Sequence, residues 1–285
     1  KRIAVIALCA VCSFALGAPI LQSGWTTTTN PATARAALGI SASWTNVTTL
    51  QTNASTAEIQ AAFDAGGAIW FTPSIYPYAL TTNIYITNKV VVYGNYNVFT
   101  PSSLSLSNGM FTTRTNVPNG PSVFKDCKFD GGVHNAYSTT TNYFRLLNGT
   151  PTLYNNPYWS NRTALTLSSQ PGGLVQNCEF YRWPGNGLLL VNQGSTGAFT
   201  NGRVAVSFSR FYSNFCGLYL PGSAYETAGY YNNSAPWQQA VPEYQPIYGC
   251  EFYQNYMGLG GGAANGHIQQ CMFTANFIGT HLTAS

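Results

Sequence analysis

Only eight residues of the 285 carry a side-chain carboxylate: Glu58, Asp64, Asp126, Asp130, Glu179, Glu226, Glu243 and Glu251. Paired carboxylates can cleave a glycosidic bond, one donating a proton to the leaving group while the other attacks or activates water. Glu58 is explained by helix capping, Asp64 lies on the same helix, and Glu179 and Glu251 recur inside a repeated phrase. Asp126, Asp130, Glu226 and Glu243 remain. The last two flank the stretch best able to hold a ligand, with Tyr225, Tyr230, Tyr231, Trp237 and Tyr244 between or beside them. Glu226 and Glu243 are therefore the candidate catalytic pair. The aromatics are the candidate platform, because aromatic faces stack on the apolar faces of sugar rings. Trp159, with Tyr154 and Tyr158, and the pair Arg182-Trp183 extend it. The same aromatics could instead anchor a long segment against the body of the protein, or bind sugar without cleaving it, and these three readings stay open.

The element that must position this stretch is a repeat. The phrase reads Cys127-Lys128-Phe129, Cys178-Glu179-Phe180, Ser209-Arg210-Phe211, Cys250-Glu251-Phe252 and Cys271-Met272-Phe273. Phe124, Val175, Val206, Ile247 and Ile268 stand three positions before each copy. In the last three, Asn214, Asn255 and Asn276 follow the Phe by three, and Gly217, Gly258 and Gly279 come three later. Such self-similarity marks a solenoid, in which each repeat buries its apolar face only against its neighbours. Period-2 alternation puts Cys and Phe on one face of a short strand. The aliphatic residue upstream has the opposite parity, so the backbone must bend between them. Strand, bend and strand, repeated, describe the coil of a parallel β-helix. The Asn and Gly positions are expected at its corners, where φ > 0 is tolerated.

The outward residues, Lys128, Glu179, Arg210, Glu251 and Met272, alternate in sign over four rungs, as stacked strands favour. Coil lengths locate the excursions. Cys250 to Cys271 is close to a bare coil, whereas Ser209 to Cys250 leaves a surplus between Pro221 and Pro246, and Cys178 to Ser209 one near 192–202. Cys127 to Cys178 has room for an extra coil or a long loop at 150–163. Excursions from a rigid stack are where such folds place binding sites.

Composition bounds the rest. Charged residues are 7%, aromatics 14% and the net charge +4, two of those charges being Lys1 and Arg2. No basic cluster appears elsewhere, which argues against a nucleic-acid partner. Lys1-Arg2, the apolar run Ile3–Leu16 and the small residues Ala15 and Gly17 predict an export signal over 1–17 and a secreted or cell-surface protein. Four of the five remaining cysteines sit in the repeat column, where Ser209 replaces the fifth member. They are expected as small buried fillers, with a Cys250–Cys271 disulfide as the alternative. His134, His267 and His281 show no ligand spacing, so neither a metal nor a cofactor is expected.

A short helix of two turns, capped by Asn30, begun at Pro31 and stopped by Gly39, is expected within a linker spanning 18–50. Ser55-Thr56-Ala57-Glu58 is a capping box, Ile59, Ala62 and Phe63 form an apolar face, and Gly66-Gly67 ends the helix. The run Glu58-Ile59-Gln60-Ala61-Ala62-Phe63-Asp64-Ala65-Gly66-Gly67-Ala68-Ile69-Trp70-Phe71-Thr72-Pro73 resembles the N-terminal cap of the pectate-lyase-like superfamily, in the branch shared by phage tailspikes and rhamnogalacturonase-like proteins. The Asp-rich approach to that helix is replaced by Thr52-Asn53-Ala54, and Ile75 stands where the turn glycine would be.

The resemblance implies an all-β fold, a right-handed single-stranded parallel β-helix over 51–285 with a short capping helix. It also implies a polysaccharide or cell-surface glycan as partner, and a lyase, a glycoside hydrolase or a non-catalytic spike as function. The polygalacturonase-type signatures and the calcium-dependent lyase set are absent, so no catalytic residue carries over. The rival reading is a non-enzymatic surface or virion appendage. A site completed at a subunit interface of a homotrimer is a further one. An uncapped final coil would leave an open sheet edge, so more coils or a covering partner are expected beyond Ser285.

Overall fold

The computed structural model describes residues 47–102, 109–113, 121–132, 163–168, 172–183, 185–191, 204–220, 246–261 and 267–282. All lie in the unit Thr45–Ser285. The export run at 1–17 and the short helix at 31–40 fall outside the described residues. The chain enters through β1 (Val47–Leu50), inside the stretch assigned to a linker, and then α1 (Thr56–Ala65). Seven turns follow, each placing one strand in each of three sheets, A, B and C. They are β2 (Gly67–Phe71), β3 (Tyr78–Leu80) and β4 (Ile84–Ile86); β5 (Val90–Tyr93), β6 (Val98–Pro101) and β7 (Phe111–Thr113); β8 (Ser122–Lys125), β9 (Lys128–Asp130) and β10 (Leu165–Ser168); β11 (Gly173–Gln176), β12 (Glu179–Tyr181) and β13 (Asn186–Val191); β14 (Val204–Ser207), β15 (Arg210–Tyr212) and β16 (Cys216–Leu220); β17 (Pro246–Tyr248), β18 (Glu251–Tyr253) and β19 (Met257–Gly261); and β20 (His267–Gln269), β21 (Met272–Thr274) and β22 (Ile278–Leu282). All pairings are parallel and every sheet follows coil order, which defines a right-handed parallel β-helix. β9 pairs directly with β12, so the long Cys127–Cys178 spacing contains no extra coil.

The predicted columns are present in register. Phe129, Phe180, Phe211, Phe252 and Phe273 are consecutive partners, with ring centroids 4.8–5.0 Å apart and planes within 11° of parallel. Phe99 continues the column above Phe129 at 5.7 Å. Phe124, Val175, Val206, Ile247 and Ile268 form the second column, in sheet A. Leu165, Leu188, Leu218 and Leu259 form a third, in sheet C. α1 closes the top. Ser55 and Glu58 complete their capping box, and Phe63 sits 5.5 Å from Phe111 and 6.3 Å from Phe124.

The corners differ from expectation. Gly217, Gly258 and Gly279 lie within β16, β19 and β22, not at bends. A Cβ on Gly217 would meet the Gly258 carbonyl oxygen at 2.6 Å and Phe211 Cβ at 2.9 Å. Gly217 and Gly258 are there because the Phe column and the next coil press on the backbone of sheet C. The left-handed residues that make the bends stand at other positions and are of mixed type. Asp126, Asn177, Phe208, Gly249 and Gln270 (φ 50–61°) turn sheet A into sheet B, and Arg182, Ser213, Gln254 and Ala275 (φ 54–60°) turn B into C. Left-handed backbone costs a non-glycine residue about 1–2 kcal/mol. Hydrogen bonds that continue round the corner offset it, such as Phe208 N–H to the Tyr248 carbonyl at 3.0 Å.

The Cys/Ser column braces the first bend. Cys127, Cys178, Cys250 and Cys271 donate from Sγ to the carbonyl two residues back at 3.3–3.5 Å, and Ser209 Oγ does the same at 3.0 Å. Any small side chain with an X–H donor serves, which is why Ser is accepted. All five described cysteines are free thiols.

Asn214, Asn255 and Asn276 form a ladder just inside the second bend. Asn255 Nδ2 donates to the Phe211 carbonyl (2.9 Å) and to Asn276 Oδ1, while Asn255 Oδ1 accepts from Asn214 N–H (3.0 Å). Asn255→Ala is therefore expected to leave buried partners unmatched, at about 1–3 kcal/mol each. Asn276→Ala, in the half-buried last coil, should cost clearly less. Thermal unfolding followed by circular dichroism checks both, and equal losses would show that the ladder is not the brace.

Candidate functional site

The expected platform divides. Glu226, Glu243, Tyr225, Tyr230, Tyr231, Trp237, Tyr244 and Trp159 lie outside the described residues; all but Trp159 fall in the 221–245 segment that joins β16 to β17. Arg182 and Trp183 are described, and neither offers a ring or a free charge to a sugar. Trp183 is 3% exposed. Its backbone N–H donates to Asn214 Oδ1 at 3.0 Å, and its indole N–H donates to the Phe129 carbonyl at 3.0 Å. That is the bond Asn214 Nδ2 makes to the Phe180 carbonyl one coil on. Trp183 is thus the first rung of the Asn ladder, which corrects its assignment to a sugar-stacking surface. Arg182 grips Asp130 with both Nε and Nη2, and its guanidinium lies over the Tyr181 ring at 5.5 Å. The Asp130 carboxylate raises its already high pKa.

The other described carboxylates are engaged as well. Glu179 accepts from Lys128 Nζ (3.3 Å) and from the Tyr212 hydroxyl (3.1 Å), and Glu251 from Arg210 Nε (2.9 Å). Asp126 accepts from Asn177 Nδ2 at 2.6 Å. Asp64 accepts from Gln60 and Thr87. Ser55 holds Glu58, lowering its pKa first through the backbone N–H and then through the side chain. Among the described residues no carboxylate stands ready as a general acid, and no three His, Cys, Asp or Glu side chains gather in a metal-binding group.

What does stand out runs along the edge where sheet A turns into sheet B. Ile75 (90% exposed) and Tyr76 in the first coil, Tyr96 in the second, Phe208 in the fifth and Tyr248 in the sixth lie at or beside this corner, and make up most of the exposed large apolar side chains among the described residues. Apolar groups gathered on one surface and rimmed by polar ones mark interaction sites. Tyr96 and Phe208 hold left-handed backbone (φ 59° and 50°), an unfavourable state for aromatic residues that persists where surroundings enforce it. The next coil makes room for Phe208: a Cβ on Gly249 would come within 2.9 Å of its ring. Tyr248 meets the same ring edge-on at 5.3 Å. Tyr96 accepts at its hydroxyl from Asn177 Nδ2 (2.7 Å) and carries Lys128 Nζ 6.0 Å above its ring. Burial, then the nearby Asp126 charge, raises the Tyr96 pKa.

Sheet B supplies a second aromatic row that cannot serve as a platform. Tyr181, Tyr212 and Tyr253 stack face to face at 4.8 and 4.9 Å, so their faces cover one another and only edges point outward. The A–B edge does not show as a repeat in the sequence. Its signal is the residue before each Cys or Ser: Phe208 is the one bulky apolar residue in a series otherwise Asp, Asn, Gly and Gln.

The fold makes this a parallel β-helix protein with an aromatic–amide ridge along one edge. No family model and no curated protein matches the chain. Among solved structures, the A-module of the mannuronan C-5 epimerase AlgE4 from Azotobacter vinelandii aligns over 79% of this chain and 74% of its own, at 11% identity and a TM-score of 0.26. The fold assignment rests on this chain's own strand register and not on that likeness.

Burial first, then Asp130, pushes the Tyr181 phenol up to about 12. The folded state therefore holds that proton more tightly than the unfolded chain. The associated stability is intact below the ordinary tyrosine value near 10 and is lost as pH rises from about 10 to 12. Tyr181→Phe should flatten the fall in urea midpoint over that window. An unchanged slope would remove Tyr181 as its source.

Proposed function

We propose that this is an exported protein of pectate-lyase-like architecture that holds extracellular or cell-surface polysaccharide on the A–B edge, the stack acting as a stiff support. The single observation that carries this reading is the gathering of exposed aromatics at one corner of the first, second, fifth and sixth coils, with the exposed Gln270 at the same corner of the seventh. Aromatic faces supply the apolar contact a sugar ring offers, and side-chain amides match its hydroxyls without charge. Every described carboxylate is held by a partner, which favours binding over cleavage at this edge.

A second reading, polysaccharide cleavage by a lyase or glycoside hydrolase, keeps its support in the sequence. Glu226 and Glu243 are carboxylates with no structural duty assigned, set among Tyr225, Tyr230, Tyr231, Trp237 and Tyr244. A homotrimeric spike is compatible with either reading.

A glycan array probed with wild type, Phe208→Ala and Tyr248→Ala tests the first. Each variant should weaken binding about tenfold, or about 1.4 kcal/mol, with the far-ultraviolet spectrum unchanged. Reducing-end and unsaturated-uronate assays on wild type, Glu226→Ala and Glu243→Ala decide the second: turnover lost in either variant establishes cleavage, and none in wild type removes it.

A further inference from the structure

We propose that the A–B edge selects an uncharged glycan strand lying along the stack axis, an inference that rests on the polysaccharide reading above. Direction follows from placement. Tyr76, Tyr96, Phe208 and Tyr248 belong to the first, second, fifth and sixth coils at one corner, so a ligand touching them all must run across rungs. At about 4.8 Å per rung, that span is about 24 Å, enough for several sugar units.

Charge selection follows from what borders the ridge. Among the described residues the cations there are Lys125, Lys128 and Arg210, and the carboxylates are Asp126, Glu179 and Glu251. The two sets cancel in number and alternate along the axis through the pairs Lys128–Glu179 and Arg210–Glu251. Lys125 lies 5.8 Å over the Tyr93 ring. A polyanion laid along this face meets a carboxylate for each cation it approaches and gains no net attraction, since steering needs one sign of charge in excess. Individually such exposed pairs contribute only about 0–1 kcal/mol to stability. Their effect here is to leave the surface electrically neutral while holding long side chains flat beside the ridge.

What remains for recognition is the apolar face of Phe208, the Tyr248 and Tyr96 rings, and the exposed Gln270 amide, since Asn177 Nδ2 is given to Tyr96 and Asp126. The Gly249 gap that seats the Phe208 ring shows that its exposure is built into the next coil. These groups suit hydroxylated rings with apolar faces and provide no surplus cation for a uronate.

The test compares immobilised uncharged polysaccharides (dextran, galactomannan, glucomannan) with polyuronates (polygalacturonate, alginate) at low and high salt. The full chain is expected to bind an uncharged member with little salt dependence. Phe208→Ala and Tyr248→Ala should each lower that affinity about tenfold. Preference for a polyuronate, with affinity falling steeply as salt rises, overturns the charge selection while leaving polysaccharide binding standing. Absence of binding to both sets overturns the polysaccharide reading itself.

Discussion

Hydrogen bonding between successive coils imposes one demand on the whole molecule: each residue must tolerate its own counterpart about 4.8 Å above and below. Everything regular in this chain answers that demand. Phenylalanine meets it by lying flat on phenylalanine, with ring centroids at the rung spacing and planes nearly parallel. Asparagine meets it with a side chain that both donates and accepts, so that Asn255 accepts from Asn214 on one side and donates to Asn276 on the other. Charges meet it only by alternating, and Lys128, Glu179, Arg210 and Glu251 do so in register. Glycine is forced where Phe rings crowd the backbone of the neighbouring sheet.

The ladders do not contribute equally. Burial of a Phe side chain is worth about 1.5–3 kcal/mol, whereas an exposed ion pair is worth about 0–1 kcal/mol. The interior column therefore carries stability, and the charge ladder contributes register, since a slipped rung would place like charges opposite each other. The Asn ladder lies between these extremes. Its amides are buried, so each unmade bond carries the full penalty of a desolvated polar group. Trp183 shows that the requirement at that position is an N–H aimed at a carbonyl and not asparagine itself.

Residues that repeat were legible, because stacking writes itself into the sequence as a period. The Phe, aliphatic, Cys/Ser and charge columns, the capping box and the strand that opens each turn could all be read from spacing. The corners could not. The left-handed positions hold Asp, Asn, Phe, Gly, Gln, Arg, Ser and Ala, a mixture in which no residue type announces φ > 0. Their conformation is enforced by inter-coil hydrogen bonds and, at the first bend, by the thiol or hydroxyl brace on the following residue, interactions invisible until the coils are stacked. The repeat glycines sit inside strands because packing against Phe outweighs their backbone preference, and the repeat asparagines sit at the second bend, as expected, but for the carbonyls they bond and not for φ > 0. Trp183, read as a ligand surface because tryptophan is a strong sugar-stacking type, proved to be a rung.

That distinction bears on where function can reside. A position inside a ladder is constrained by neighbours on both sides and cannot change without disturbing them. A left-handed corner residue is held in the stack through its backbone, and its side chain lies outside the interior columns, where it can bond a neighbour as Asn177 does Asp126 or stand exposed as Phe208 does. Such a position is free to carry an aromatic in one coil and an amide or a carboxylate in the next, as Phe208, Asn177 and Asp126 do. The same geometry that makes the stack monotonous inside makes its edge variable outside, so a recognition surface can be composed there one coil at a time. Gly249 shows the one price of that freedom: seating the exposed Phe208 ring required the next corner to surrender its own side chain.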